Sequence, residues 1–181
     1  MKIRLLMLSA ATFCLCGSLA EAGNSTVVDV GEGVAIALPV VAGGITLYKR
    51  DETGLAELGI DTLLTVGTTY GLSRIVREER PDGSDQHSFP SNTTALAFAP
   101  AAYLWGRYGW TYGVPATAAA SFVAFSRVDG QKHHWYDVMA SAGIAFAYSE
   151  IFTTRFRGND RLTATAYPTR GGAMFEMTYR W

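Results

Sequence analysis

The sequence predicts a mainly α protein, a helical bundle of about five to six helices with a C-terminal β-hairpin. Three observations carry that prediction. Apolar residues make up 49% of the 181-residue chain and charged residues only 17%, against about 25% charged in ordinary soluble domains. Five apolar segments follow one another, most with helical spacing or small-residue composition. Only the tail, residues 161–181, alternates apolar and polar side chains in the manner of strands.

The elements follow in order. Residues 1–22 (MKIRLLMLSAATFCLCGSLAEA) carry Lys2 and Arg4, then an uncharged apolar stretch, then Ala20-Glu21-Ala22. This is the pattern of a secretory signal peptide with an A-x-A cleavage site. Residues 23–181 then form one domain, a length that suits a single core. Residues 33–48 are uncharged but contain Pro39 and the Gly43-Gly44 pair. Residues 53–76 show a helical pattern around Leu55, Leu58, Leu63, Leu64 and Val66. Residues 92–103 are Ala-rich, 114–125 form another small-residue run, and 137–152 place Val138, Met139, Ile144, Phe146 and Ile151 at helical spacings. Arg161–Tyr167, the turn Pro168–Gly172 and Ala173–Trp181 complete the expected hairpin, packed on the helices.

Two of these runs, 88–106 and 108–126, are uncharged and near the ~20 residues that cross a bilayer. Pro90, Pro100 and Pro115 interrupt them. The reading is a packed bundle with peripheral or partial membrane contact, ahead of true spanning. The aromatics Tyr103, Trp105, Tyr108, Trp110 and Tyr112 around Arg107 fit an interhelical turn and a lipid-interface belt equally.

Composition excludes several classes. The apolar fraction argues against disorder. A net charge of -1 leaves no cationic surplus for a phosphate backbone, so no nucleic acid is expected. Both cysteines, Cys14 and Cys16, lie in the leader, so the remaining chain has no disulfide and no thiolate metal ligand. His133 and His134 are adjacent and would point to different faces of a helix, which argues against zinc.

The chemistry concentrates in residues 80–137. Ser126, Arg127, His133 and Asp137 fit the pattern S-R-x5-H-x3-D. If the helix begins at His133, Asp137 shares its face and can take the proton of one imidazole nitrogen, leaving the other as a nucleophile. Arg80 and Arg127 offer planar donor forks to an oxyanion, and Ser91 adds a hydroxyl near a helix start. This set suits phosphoryl transfer through a phosphohistidine, with arginines supplying the charge and no metal or cofactor required. The bland alternatives are a charged turn at Arg80 and a stabilising His133–Asp137 pair.

These residues resemble the type 2 phosphatidic acid phosphatase and vanadium haloperoxidase superfamily, whose members carry K-x6-R-P, P-S-G-H and S-R-x5-H-x3-D. Here the motifs stand as Ser73 to Arg80-Pro81, as Pro90-Ser91-Asn92-Thr93, and as Ser126-Arg127 through His133 to Asp137. The resemblance implies catalytic His133 and Asp137, with phosphate bound by Arg80, Ser91, Asn92 and Arg127. It implies a substrate that is a phosphorylated lipid or small phosphoester, and the signal pattern of residues 1–22 places the encounter in the periplasm or at a membrane surface facing it, after export across the inner membrane. It also exposes departures. Ser73 replaces the lysine, with Arg74 one position out of register. Asn92 and Thr93 replace the glycine and the histidine that acts as general acid. His87, six residues upstream of Thr93, reads first as a surface-loop histidine and only second as a substitute donor. Two expectations follow: a metal-independent lipid phosphate or pyrophosphate phosphatase, and a degenerate member that binds phosphate or lipid headgroups without turnover.

Overall fold

A computed structural model describes residues 24–156, with backbone alone at 162–169 and 172–179. The expected leader, residues 1–22, lies outside the described residues. Five helices form the described bundle: α1 (Asn24–Tyr48), α2 (Glu52–Ile75), α3 (Asn92–Tyr108), α4 (Trp110–Asp129) and α5 (Trp135–Phe152). The helical expectation therefore stands, at the lower end of its helix count.

Local chemistry sets the boundaries. Asp51 caps α2 by accepting the Gly54 N–H at 2.9 Å, and Ser91 caps α3 by accepting from Thr94 N–H; each satisfies one of the orphan donors at a helix start. Gly109 joins α3 to α4 at φ 82, a left-handed conformation that a side chain disfavours. His134 and Asp137 form a reciprocal capping box at the start of α5.

The prolines do not interrupt the helices. Pro39, Pro100 and Pro115 lie inside α1, α3 and α4. Each removes a backbone hydrogen bond, and packing outweighs that cost. α3 sits at the centre, buries residues along most of its length, and contacts the other four helices. Ala35, Leu38, Ala42, Phe98, Leu104, Ala120 and Val123 belong to the core it organises.

The burial pattern of α2 departs from the expected one, although Leu58 is buried. Leu55 and Leu63 are exposed, Leu63 at 75%. Buried instead are Glu57, Asp61, Thr65, Thr69 and Ser73, spaced four apart on one face. Asp137, Ser141, Ala145 and Ser149 repeat that spacing on α5, whose Met139 and Ile151 point outward. On α2 and α5, polar groups thus share the interior with a few apolar ones such as Leu58 and Val138, while several large apolar side chains face outward.

One end of the bundle is locked by charge. Arg107 is 5% exposed and pairs with Asp51 at 2.5 Å and Glu57 at 3.2 Å. It also donates to Thr154 at 2.7 Å. This ties the end of α3 to the start of α2 and the segment after α5. Tyr103 is wholly buried there, while Trp110 is 72% exposed. The opposite end carries the site.

Candidate active site

Five pieces of chain converge at that opposite end: the last turns of α2 and α4, the first turns of α3 and α5, and the 76–91 loop. The loop is held by its own backbone. Arg80 N–H donates to Asp85 O at 2.9 Å, and Ser88 N–H to Glu78 O at 2.9 Å. A second clamp joins it to the α4–α5 connection: Asp82 N–H donates to Gln131 O at 3.1 Å, and Lys132 Nζ to Asp82 at 2.7 Å. The Lys132 contact, with hydrogen bonds from Ser84, holds the Asp82 carboxyl well below its ordinary pKa.

His133 stands before the helix, not within it, because α5 begins at Trp135. Its Nδ1 lies 2.7 Å from the Ser88 carbonyl and 3.7 Å from Asp137 Oδ2. A carbonyl only accepts, so Nδ1 carries the proton and Nε2 keeps its lone pair. The tautomer expected from Asp137 is therefore set by Ser88. Burial lowers the His133 pKa below its ordinary value, and Arg80 and Arg127 push the same way; the Ser88 hydrogen bond and Asp137 oppose them without prevailing. Asp137 is fully buried and accepts from the Ser88 hydroxyl at 2.5 Å and the His134 N–H at 2.8 Å.

His133 opens on a cavity of about 300 Å³, lined also by Ser73, Arg80, Asn92 and Thr93, with Tyr70, Arg74, Asp85 and His87. The structure thus brings His133 and Arg80 together with the three departing positions, Ser73, Asn92 and Thr93. The positive end of α3 faces this space through Asn92 and Thr93. Arg80 Nε and Asn92 Oδ1 are buried without a partner among the described residues.

Three expected residues are placed differently. Ser91 is fully buried as the α3 cap, and its carbonyl takes the Ser141 hydroxyl at 2.9 Å. Asp137 lies behind His133. Arg127 is 3% exposed and turned toward α1, where it donates to Glu32 at 2.8 Å and to the Val28 carbonyl.

Sequence reasoning did not anticipate Ser88, the cavity faces of Tyr70 and Arg74, or the pairing of His87 with Asp85 at 2.6 Å. The last had a visible signal, an Asp two residues from a His in a Gly- and Pro-punctuated loop. Glu78, His134 and Asp137 bring ligand-type atoms within 4.8 Å of one another. Those groups are already engaged: Glu78 accepts from Tyr136, and Asp137 is bonded as above. They also lie at a helix N-terminus, whose dipole disfavours a cation.

The chain is similar in sequence and in fold to known proteins. The chain is 32% identical over 131 residues to the lipid A 4'-phosphatase of Helicobacter pylori strain J99, covering 66% of each chain. It is 33% identical over 109 residues to the lipid A 1-phosphatase of Porphyromonas gingivalis, covering 58% of this chain and 23% of that one. The chain thus spans about two thirds of the first relative's length and about a quarter of the second's. The fold is similar to that in the crystal structure of Aquifex aeolicus LpxE, with a TM-score of 0.52 at 17% identity, over 71% of this chain and 90% of that one. The profile of the PAP2 superfamily matches residues 57–161. That match runs from α2 through α5 and takes in every position of the site from Ser73 to Asp137, so the chain belongs to the PAP2 superfamily.

Proposed function

We propose that the protein is a phosphatase that removes phosphate from a phosphorylated lipid, a monophosphate or a pyrophosphate, through a phosphohistidine on His133. One observation carries this reading. His133 has Nδ1 committed to a carbonyl and Nε2 left as a nucleophile beside a cavity whose cations are Arg74 and Arg80. The unpartnered Nε of Arg80 and the α3 N-terminus suit a phosphoryl oxygen. Arg74, out of register with the motif lysine, still reaches the cavity and can supply the missing charge. Asp137 acts as a positioning residue through the α5 cap.

This burial pattern supports a bilayer location. α1 contains a 24-residue apolar stretch, Ser25–Tyr48, long enough to cross a membrane. The outward faces of the other helices present Leu63, Ile75, Val114, Phe125, Met139 and Ile151, while the polar line of α2 is interior. Such a surface is costly in water. Small and polar residues between helices suit packing in lipid. We read the site end as facing the periplasm and residues 1–22 as a signal peptide. The tail we read as an antiparallel hairpin, with Leu162 opposite Tyr179 and Thr169 opposite Gly172.

A second reading has its own support. Ser73, Asn92 and Thr93 stand where the family has lysine, glycine and histidine, and Arg127 is held by Glu32. On that reading the chain binds phosphate or lipid headgroups without turnover. The discriminating experiment is phosphate release by the purified chain from mixed micelles of a lipid monophosphate or a lipid pyrophosphate, alongside His133→Ala. Release that disappears in the variant supports the enzyme. No release from either lipid, with vanadate still bound, supports the binding protein.

A further inference from the structure

We propose that His87, held by Asp85, is the general acid and base of this site, taking the role that Thr93 cannot perform. The inference rests on the phosphatase reading and supplies the one part that reading lacks.

The geometry has three parts. First, His87 lines the same cavity as His133, Thr93 and Arg80. Second, the loop ties it to the nucleophile. His87 directly precedes Ser88, whose carbonyl holds His133 Nδ1 at 2.7 Å, so one residue separates the two imidazoles along the hydrogen-bonded path. The Asp82 contacts with Gln131 and Lys132 clamp the two loops into one unit. Third, His87 Nδ1 lies 2.6 Å from Asp85 Oδ1. A carboxylate there accepts the Nδ1 proton, orients the ring and leaves Nε2 for the substrate. Asp85 is held below its ordinary pKa first by that hydrogen bond, so it stays an acceptor. The other charged or titratable groups around His87 are Arg80, 3.8 Å from Asp85, Glu78 as its backbone bridge partner, and Tyr70, Arg74 and His133 across the cavity.

The steps balance. The lone pair of His133 Nε2 forms a bond to phosphorus. The P–O bond to the lipid breaks, and its electron pair goes to the leaving oxygen. The proton on His87 Nε2 transfers to that oxygen, releasing an alcohol and neutral His87. A water molecule then attacks the phosphoryl group while His87 Nε2 takes its proton. The P–N bond breaks, its pair returns to His133, and inorganic phosphate leaves with His87 protonated again.

The test compares full-length wild type with His87→Gln, which keeps a donor toward Asp85 but has no proton to give. Phosphate release is measured from an alkyl phosphate and from 4-nitrophenyl phosphate, whose leaving group needs little protonation. The expected result is a fall of about 10²–10⁴ in alkyl ester turnover, the range of general acid catalysis, a much smaller fall for the aryl ester, and loss of the alkaline limb of the alkyl pH profile. Vanadate should raise the melting temperature of both proteins, which shows that the anion site of the variant is intact. Asp85→Asn should give the same selectivity in weaker form. Equal losses on both esters, or no loss on either, would overturn the assignment. Wild type inactive on both esters and on a lipid monophosphate in mixed micelles would overturn the phosphatase reading instead, and this role with it.

Discussion

Ser88 does two things for the site, and alanine there separates them. Its carbonyl fixes the His133 proton at 2.7 Å, while its hydroxyl donates to Asp137 Oδ2 at 2.5 Å, with Ser88 wholly buried. Ser88→Ala removes only the hydroxyl. Asp137 then keeps the His134 N–H at 2.8 Å, but its Oδ1 already has no partner among the described residues. A hydrogen bond to a charged group contributes about 1.5–3 kcal/mol, so the variant should lose about that much stability. Turnover should fall far less than in His133→Ala, because the carbonyl that selects the tautomer is untouched. Denaturant midpoints and initial rates on an aryl phosphate read the two effects separately. Ser88→Ala as inactive as His133→Ala, with its midpoint unmoved, would refute this division and return tautomer control to Asp137.

Five further outcomes are expected. The depressed pKa of His133 keeps Nε2 unprotonated below the ordinary histidine value of about 6.5, so the acidic limb of kcat/KM should lie below that pH. The same shift has a stability consequence. Between the folded and unfolded pKa values the unfolded chain binds more protons, so stability falls as pH drops below about 6.5, and His133→Gln should flatten that dependence in melting curves. Arg107→Met strands the buried carboxylates of Asp51 and Glu57 and should cost about 3–5 kcal/mol in denaturant unfolding, much of it recovered by adding Asp51→Asn and Glu57→Gln. Glu32→Gln releases Arg127 from a partner that is 57% exposed and should tighten vanadate binding by up to about fivefold, the equivalent of the ~1 kcal/mol ceiling for such pairs; unchanged binding would place Arg127 outside the anion site. Thr93→His with Asn92→Gly, introduced into His87→Gln, should recover alkyl phosphate turnover and narrow its gap to the aryl ester, and no recovery would show that a donor at 93 does not reach the leaving oxygen.

What was legible in the sequence followed local rules. Four of the five helices could be placed from apolar spacing and small-residue runs, because both depend on residues within a few turns. The faces of α2 and α5 could not. Periodicity of Leu55, Leu58 and Leu63 marks an apolar face, but not whether that face meets a core or lipid, and here Leu58 is buried while Leu63 is exposed. His133 and Asp137 were legible as a pair from their spacing. The Ser88 carbonyl was not, since it belongs to a loop 45 residues away, and the helix start at Trp135 is set by the His134–Asp137 cap, which the His133-first reading passed over. The Glu32 partner of Arg127 was hidden for the same reason, since it is 95 residues distant. Arg107 stood out as the lone charge between two apolar runs, but nothing local named Asp51 and Glu57 as the groups that bury it.

The most direct test of the account is to trap the covalent intermediate. The purified chain, mixed with a phosphorylated lipid and quenched rapidly in alkali, where a phosphoryl–imidazole bond survives, should yield a peptide containing His133 heavier by one phosphoryl group. Fragmentation should place that group on His133 and not on His134, and it should be absent from His133→Ala. Phosphate released at the wild-type rate by His133→Ala, or a phosphoryl group found on any other residue, would contradict the account.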